Sequence, residues 1–448
     1  MHRILIVGAG ATGSAAALRL RQLGNVELEV WEKARGPGGR MSTNRQEVNG
    51  ATVRADMGAQ YLSVDESDSA SLQVADMLLS SGVCAQVSSE HLSATPERPK
   101  QAKHLAGTAG GVNDALKLLL EEAGATVHYE KRVASLDLQS GLWRARPFEG
   151  APGMFDAVLV AVPGCGVGGD NLLKIHGSWE GMLKQEQNKQ LMAAQHDQRW
   201  SFAFFLPNDC QGVCKRYFGP KAVEKVVDDD VLHLLCYQSR KTEIASKAAS
   251  GGLVLVAHTT KEWAKLHAQR GGKDERLLKE VAACVQKLIG LEGPLSKLTS
   301  VSKVITWKQS QVERPVSSDG PYMVVSHSPP LLLAGDYFTH SSFSGCVQSG
   351  FAAAESLAAL LKEATPKAAD VCPDVSEGTG KKGKGKGGKG KGSQGKDRYK
   401  HDSWDYEGGS NGKDHSKSGK GGKSSKGKRR EGQSGYGGYG RYGWDPYN

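Results

Sequence analysis

Six residues near the start, Gly8-Ala9-Gly10-Ala11-Thr12-Gly13, have the spacing of a phosphate-binding turn. Gly8 permits the tight turn, Gly10 lets a pyrophosphate approach the backbone, and Gly13 lets the following helix pack against the preceding strand. Thr12 lies in the first helical turn, whose N–H groups and dipole favour a phosphate. Glu32 comes 19 residues after Gly13, where a carboxylate can bond the ribose hydroxyls of an adenosine. The glycine turn alone is a weak signal; turn and acid together specify a dinucleotide site.

The segments beyond Glu32 favour a flavin dinucleotide, FAD, over a nicotinamide one. In Gly38-Gly39-Arg40-Met41 a glycine pair plus an arginine suits a loop wrapping the pyrophosphate, with a charge-assisted bond from Arg40. Asp56-Met57-Gly58-Ala59-Gln60-Tyr61 places a glycine where backbone could approach a flat ring. Far along the chain, Leu333-Ala334-Gly335-Asp336 ends a strand, and Asp336 is positioned to bond ribityl hydroxyls. A helix beginning near Ser344 and Gly345 would favour negative charge on a reduced flavin's pyrimidine edge.

These groups need a scaffold, and the hydrophobic pattern supplies one. Arg3 to Val7 reads as a strand buried on both faces, 12–23 as a helix and 26–31 as a second strand, a βαβ opening. Residues 34–50 read as a loop, 56–62 as extended, 70–81 and 112–123 as helices, and 126–129, 133–138 and 155–162 as strands. Strands at 200–206, 231–237, 253–258 and 299–307, with helices at 180–195 and 274–290, read as a separate antiparallel-sheet domain. The strand 331–334 and an Ala-rich helix over 341–362 return the chain to the first domain. The expected fold class is α/β: a Rossmann-type FAD-binding domain with an α+β substrate domain. The FAD-binding domain takes 1–90 and 111–163, joined by a connecting segment at 91–110. The substrate domain spans 164–328, the closing strand and helix 329–365, and a tail 366–448.

Residues 378–448 contain no Ala, Val, Ile, Leu, Met, Phe or Cys, but 22 Gly and 18 Lys plus Arg against 7 Asp plus Glu. This segment carries the whole positive balance of the +10 chain and leaves the first 377 residues near neutral, so the basic character says nothing about the folded body. Without aliphatic residues the tail is expected to be disordered. Its Lys/Gly repeats and Tyr/Trp-bearing end suit contact with RNA or another polyanion as well as simple solubilisation. Eight cysteines in 448 residues make no dense disulfide framework. Cys210 and Cys214 have a loosely metal-like spacing with no second pair, so no metal is expected. The N-terminal apolar run stops at glycines and reads as a strand, and no run reaches the ~18 residues of a membrane span. The expected location is intracellular and soluble, in the cytoplasm.

The stretches ILIVGAGATGS, VWEKARGPGGRMST, ADMGAQYL, FDAVLVAVP, HTT at 258–260, WKQSQV at 307–312 and LLLAGDYFTHSSFSGCVQSGFAAAESLA resemble the renalase family, a branch of the flavin amine-oxidase-like proteins. The resemblance covers residues 1 to 362 and leaves the tail aside. It implies a p-hydroxybenzoate-hydroxylase-like fold, noncovalent FAD, and oxidation of 2- and 6-dihydro isomers of NAD(P), with molecular oxygen reduced to hydrogen peroxide. By motif position it carries FAD contacts onto Thr12, Arg40, Gln60 and Tyr61. Hydride transfer to a flavin needs orientation more than side-chain chemistry, so no catalytic acid or base is expected. Tyr61, His258 and Trp307 are the candidates for a flat aromatic substrate slot. A flavin amine oxidase stays open, with Lys303 or Lys308 near the flavin, as does a flavoprotein tethered to polyanions by its tail.

Overall fold

In the strand His2–Val7, Ile4 and Ile6 face one side, Leu5 and Val7 the other, and all four are buried. A strand apolar on both faces fits a sheet covered on both sides. The computed structural model describes residues 1–364 except 49, 94–101, 165–174, 271 and 273. The first sheet runs in the order Tyr322–His327, Pro330–Ala334, Ala157–Val160, His2–Val7, Val26–Trp31 and Thr126–His128. It is parallel except for its first strand, which lies antiparallel at the edge.

Two helices cover one face, Ala11–Leu23 and the closing helix Phe343–Ala364, packing Ala16, Ala17, Leu20, Ala353, Ala354 and Leu357 onto Ile4, Ile6 and Leu332. A three-stranded sheet, Val133–Gln139, Leu142–Pro147 and Gly153–Phe155, covers the other, burying Trp143 and Phe155 against Trp31. Each side chain of this size withdrawn from water contributes about 1.5–3 kcal/mol. A further three-stranded sheet of Leu62–Asp65, Ala102–Gly107 and Cys84–Val87 packs with the helices Ser69–Ser80 and Asn113–Glu122.

The second large sheet is wholly antiparallel, in the order Glu224–Val226, Leu232–Cys236, Leu253–Thr259, Arg199–Leu206, Ser302–Trp307. Alternation along Arg199–Leu206 divides its side chains. Trp200, Phe202, Phe204 and Leu206 enter a core closed by the helix Glu275–Ile289. Ala203 and Phe205 face the other way, with Val254, Val256 and Ile305, onto Val53, Ala55 and Met57 of the first body.

The expected mixed α/β architecture is present, and four local readings need correction. Residues 34–50 are not all loop: a short 3-10 turn at Gly39–Met41 leads into the strand Thr43–Val48, paired with Ala51–Asp56 in a hairpin. Its Thr, Asn, Arg, Gln and Glu hide the strand signal because one face is open to solvent. Residues 56–62 are not one extended run but the bend between Ala51–Asp56 and Leu62–Asp65. The connecting segment at 91–110 contains the middle strand of a sheet, Ala102–Gly107. Tyr322–His327 joins the first sheet, so the chain returns there before residue 329. The readings for the tail at 366–448, and for Cys165 and Cys372, lie outside the described residues. No helix among those described is long and apolar enough to cross a membrane.

Candidate active site

The glycine turn is built by close approach. Gly8 has φ +104°, and its N–H donates to the Trp31 carbonyl at 2.9 Å. A Cβ on Gly13 would stand 2.0 Å from the Gly8 carbonyl oxygen, so any side chain would part helix from strand. A Cβ on Gly10 would meet nothing within 4 Å, and no side chain caps the helix that starts beside it. Gly39, at φ +52°, faces Gly10 across this opening. A glycine-walled opening at an uncapped helix N-terminus fits a pyrophosphate. Thr12 is buried in the first turn, and its carbonyl lies where a Cβ on Gly350 of the closing helix would come within 2.6 Å.

Glu32 is buried at the end of the second strand. Its two carboxylate oxygens accept from the backbone N–H groups of Ala9 at 2.9 Å and Ala34 at 2.8 Å, which ties the acid to the glycine turn. Each oxygen retains a lone pair for a ribose hydroxyl.

Arg40 and Asp336, both expected at the cofactor, are joined to each other. Arg40 Nη1 and Nη2 donate to Asp336 Oδ2 and Oδ1, both at 2.6 Å, and Nη1 reaches the Ser310 carbonyl at 3.1 Å. Ser341 Oγ donates to Asp336 Oδ2 at 2.6 Å. Burial opposes ionisation of Asp336, but the Arg40 charge and these hydrogen bonds outweigh it and hold the carboxyl below its usual range. A buried carboxylate needs a countercharge, which accounts for the pairing. Gly335 (φ +158°) makes the turn before Asp336, and its N–H donates to Ser349 Oγ at 2.8 Å. The closing helix starts at Phe343, one residue before Ser344, and Ser342 Oγ accepts from the Gly345 N–H at 2.9 Å. Met41 is a core residue, buried with Leu18, Leu62 and Phe343.

The bend at 56–60 brings the substrate sheet against this cofactor side. A Cβ on Gly58 would lie 2.0 Å from the Arg40 carbonyl oxygen, and the Ala59 N–H donates to that oxygen at 2.8 Å. Trp307 Nε1 donates to the Met57 carbonyl at 3.2 Å, and Gln60 Nε2 stands 3.5 Å from His258 Nε2. On the sheet itself, Trp307 pairs with Arg199, and His258 with Ser201. His258 and Trp307 therefore share a face and an end of the sheet. Burial, with Arg199, His233 and Lys241 adding positive charge, pushes His258 down to about 3. That shift favours the neutral ring at physiological pH. Tyr61 packs with Val87, Ala106 and Ala245, edge-on to His104 at 6.4 Å. Lys303 is half-buried on the Trp307 strand, and Lys308 is exposed beyond its end.

Reading the sequence missed Lys241 and Arg199. Lys241 is fully buried, donating to Asp56 Oδ2 at 3.0 Å; in the polar helix Gln238–Ser246 it reads as a solvated lysine. Arg199 opens the apolar strand RWSFAFFL, where a buried cation is a usable signal. It is held by Asp197 at 2.9 Å. Cys210 and Cys214 sit in the apolar core of the second sheet.

A family model of NAD(P)-binding Rossmann-like domains matches residues 6–76, and one of flavin-containing amine oxidoreductases matches residues 77–358. The chain is 26% identical over 353 residues to renalase of Mus musculus, covering 78% of this chain and 96% of that protein. Among solved structures it is similar to a putrescine oxidase bound to putrescine, with a TM-score of 0.52 at 12% identity, covering 80% of this chain and 99% of that one. At that identity the likeness speaks for the fold alone.

Proposed function

The chain belongs to the family of flavin-containing amine oxidoreductases and is a renalase-like FAD-dependent oxidoreductase, and on that premise we propose that it oxidises the 2- and 6-dihydro isomers of NAD(P). The observation that carries this reading is the similarity to mouse renalase over nearly that protein's whole length. The renalase resemblance implies the activity, and the substrate-facing residues suit it. When bound, FAD supplies the two-electron acceptor. Overall, a dihydronicotinamide, dioxygen and a proton give NAD(P)+ and hydrogen peroxide, which balances.

The residues of this chain orient and shield. Gly10, Gly39 and the uncapped helix would hold the pyrophosphate, and Glu32 the adenosine ribose. Trp307, anchored to Met57, offers a flat wall beside His258. A dihydropyridine gives up a hydride and no proton, so no general base is needed. The ring becomes positive as it does so, and a neutral His258 does not oppose that charge. Selectivity over ordinary 4-dihydro NAD(P)H is positional, because misplacing the reacting atom by about 1 Å costs ~100-fold.

Anaerobic stopped-flow bleaching of the flavin tests the proposal. The 2- and 6-dihydro isomers should reduce it fast, with 4-dihydro NADH and monoamines slow. Faster reduction by an amine would assign the site to amine oxidation instead.

A further inference from the structure

Lys241 reaches from the helix Gln238–Ser246, which follows the second strand of the substrate sheet, into the bend at 56–60. Its Nζ donates to Asp56 Oδ2 at 3.0 Å, the Gln60 carbonyl at 3.0 Å and Gln60 Oε1 at 2.9 Å. Three acceptors use all three hydrogens of an ammonium, so this lysine has none left for a substrate. Asp56 is equally committed: Oδ1 accepts from Thr43 Oγ1 at 2.7 Å and the Val112 N–H at 3.1 Å, and Oδ2 also accepts from Gln238 Nε2 at 3.3 Å. Both side chains are fully buried.

This network fixes an amide. Lys241 only donates, so Gln60 must present Oε1 to it. Gln60 Nε2 then points the other way, toward the carbonyls of Asp56 at 2.7 Å and Gly58 at 3.2 Å and toward His258 Nε2 at 3.5 Å. Two amide hydrogens serve three acceptors, which accounts for the long third contact. An amide nitrogen cannot accept a hydrogen bond, so a proton on His258 Nε2 would point at another donor. A hydrogen bond with the Met57 backbone works the other way and favours the charged ring, but burial and the neighbouring positive charges outweigh it.

We propose that Lys241 is a positioning residue that, through the Gln60 amide, holds His258 as the neutral ring with its proton on Nδ1 and a lone pair on Nε2. Arg199 and His233, on the two strands that flank the His258 strand, and Lys241 itself are the charged or titratable groups acting on the ring, and all three disfavour a second proton. The tautomer is independent of any substrate. Only its use in turnover, keeping positive charge away from a ring that becomes cationic, rests on the proposed function.

The test is nitrogen-15 NMR of the histidine rings in the full flavin-loaded chain, with His258→Gln assigning the resonances. The wild type should show an unprotonated Nε2 and a protonated Nδ1 from about pH 5 to 8, the range in which an ordinary imidazole titrates. Lys241→Met should lose this signature, the proton distributing over both nitrogens. Gln60→Glu keeps an acceptor for Lys241 but sets an oxygen opposite Nε2. It should move the proton to Nε2 and bring the ring's titration into the same range. Should Lys241→Met fail to fold, Gln60→Glu decides alone. A wild-type ring protonated on Nε2, or wild-type signatures in the variants that fold, overturns the proposal. Flavin reduction should slow ten- to a hundred-fold in both variants. A changed tautomer with an unchanged rate overturns the catalytic use and supports the positioning. A wild type reduced by no dihydronicotinamide overturns the substrate assignment without touching the NMR result.

Discussion

The residue that most rewards mutation is Arg40. Asp336 is buried and Arg40 partly so; removing one partner of such a hydrogen-bonded pair costs up to about 3–5 kcal/mol, because the buried charge stays behind unpaired. Arg40→Ala should therefore lower both melting temperature and FAD occupancy, while Lys33→Ala, an exposed neighbour, changes neither. Adding Asp336→Asn to Arg40→Ala should recover part of the stability, and a strictly additive double-mutant cycle would refute the coupling. The sign with pH follows from the lowered Asp336 carboxyl. Its stabilisation is present above the ordinary carboxyl value of about 3.9 and is lost as pH falls through the lower folded value, so Asp336→Asn should flatten the acid limb of the stability curve. Burial pushes the Cys346 thiol, which hydrogen-bonds with Thr12, up to about 12, so it carries no nucleophilic thiolate at neutral pH. Acid precipitation should accordingly release the flavin into the supernatant; flavin left in the pellet would reveal a covalent link. At this scale the sequence motifs point to the glycines, Glu32 and Arg40, because backbone geometry and phosphate chemistry leave few alternatives. They could not show that Arg40 meets a carboxylate 296 positions away, or that a lysine in a polar helix is buried.

At the scale of elements, the contact between the helix Ala11–Leu23 and the closing helix holds the cofactor side together. Gly350 sits where a Cβ would lie 2.6 Å from the Thr12 carbonyl and 3.1 Å from the Ala16 nitrogen. Gly350→Val should destabilise by about 1–3 kcal/mol, as overpacking does, and should loosen FAD because the helix that moves carries the phosphate turn. Calorimetry and flavin absorbance on the same sample check both effects; a drop in stability with full flavin occupancy would separate them. Long periodic elements such as Glu275–Ile289 were legible because their apolar faces repeat. The hairpin Thr43–Val48 with Ala51–Asp56 was not, since its polar strand is explained only by what it packs against. The bend at 56–60 looked extended for the same reason: its shape is imposed by Arg40 on one side and Lys241 on the other.

For the whole molecule, the composition break still predicts that residues 378–448 add nothing to the core, having no aliphatic side chain to bury. Deleting them should leave the melting temperature and flavin reduction unchanged, while retention on an immobilised polyanion falls if the tail has that role. A lowered melting temperature would mean that the tail docks. The order of the first sheet has a different consequence. Its central strand is residues 2–7, yet a neighbour two places away is residues 330–334, and Arg40 waits for Asp336. Because synthesis is vectorial, a chain emerging from the ribosome displays the glycine turn long before the far side of the cleft exists. Loading with FAD should then wait for Asp336 and the closing helix. Ribosome-arrested chains ending before Asp336 should retain no flavin, and retention should rise abruptly once the closing helix has cleared the exit tunnel.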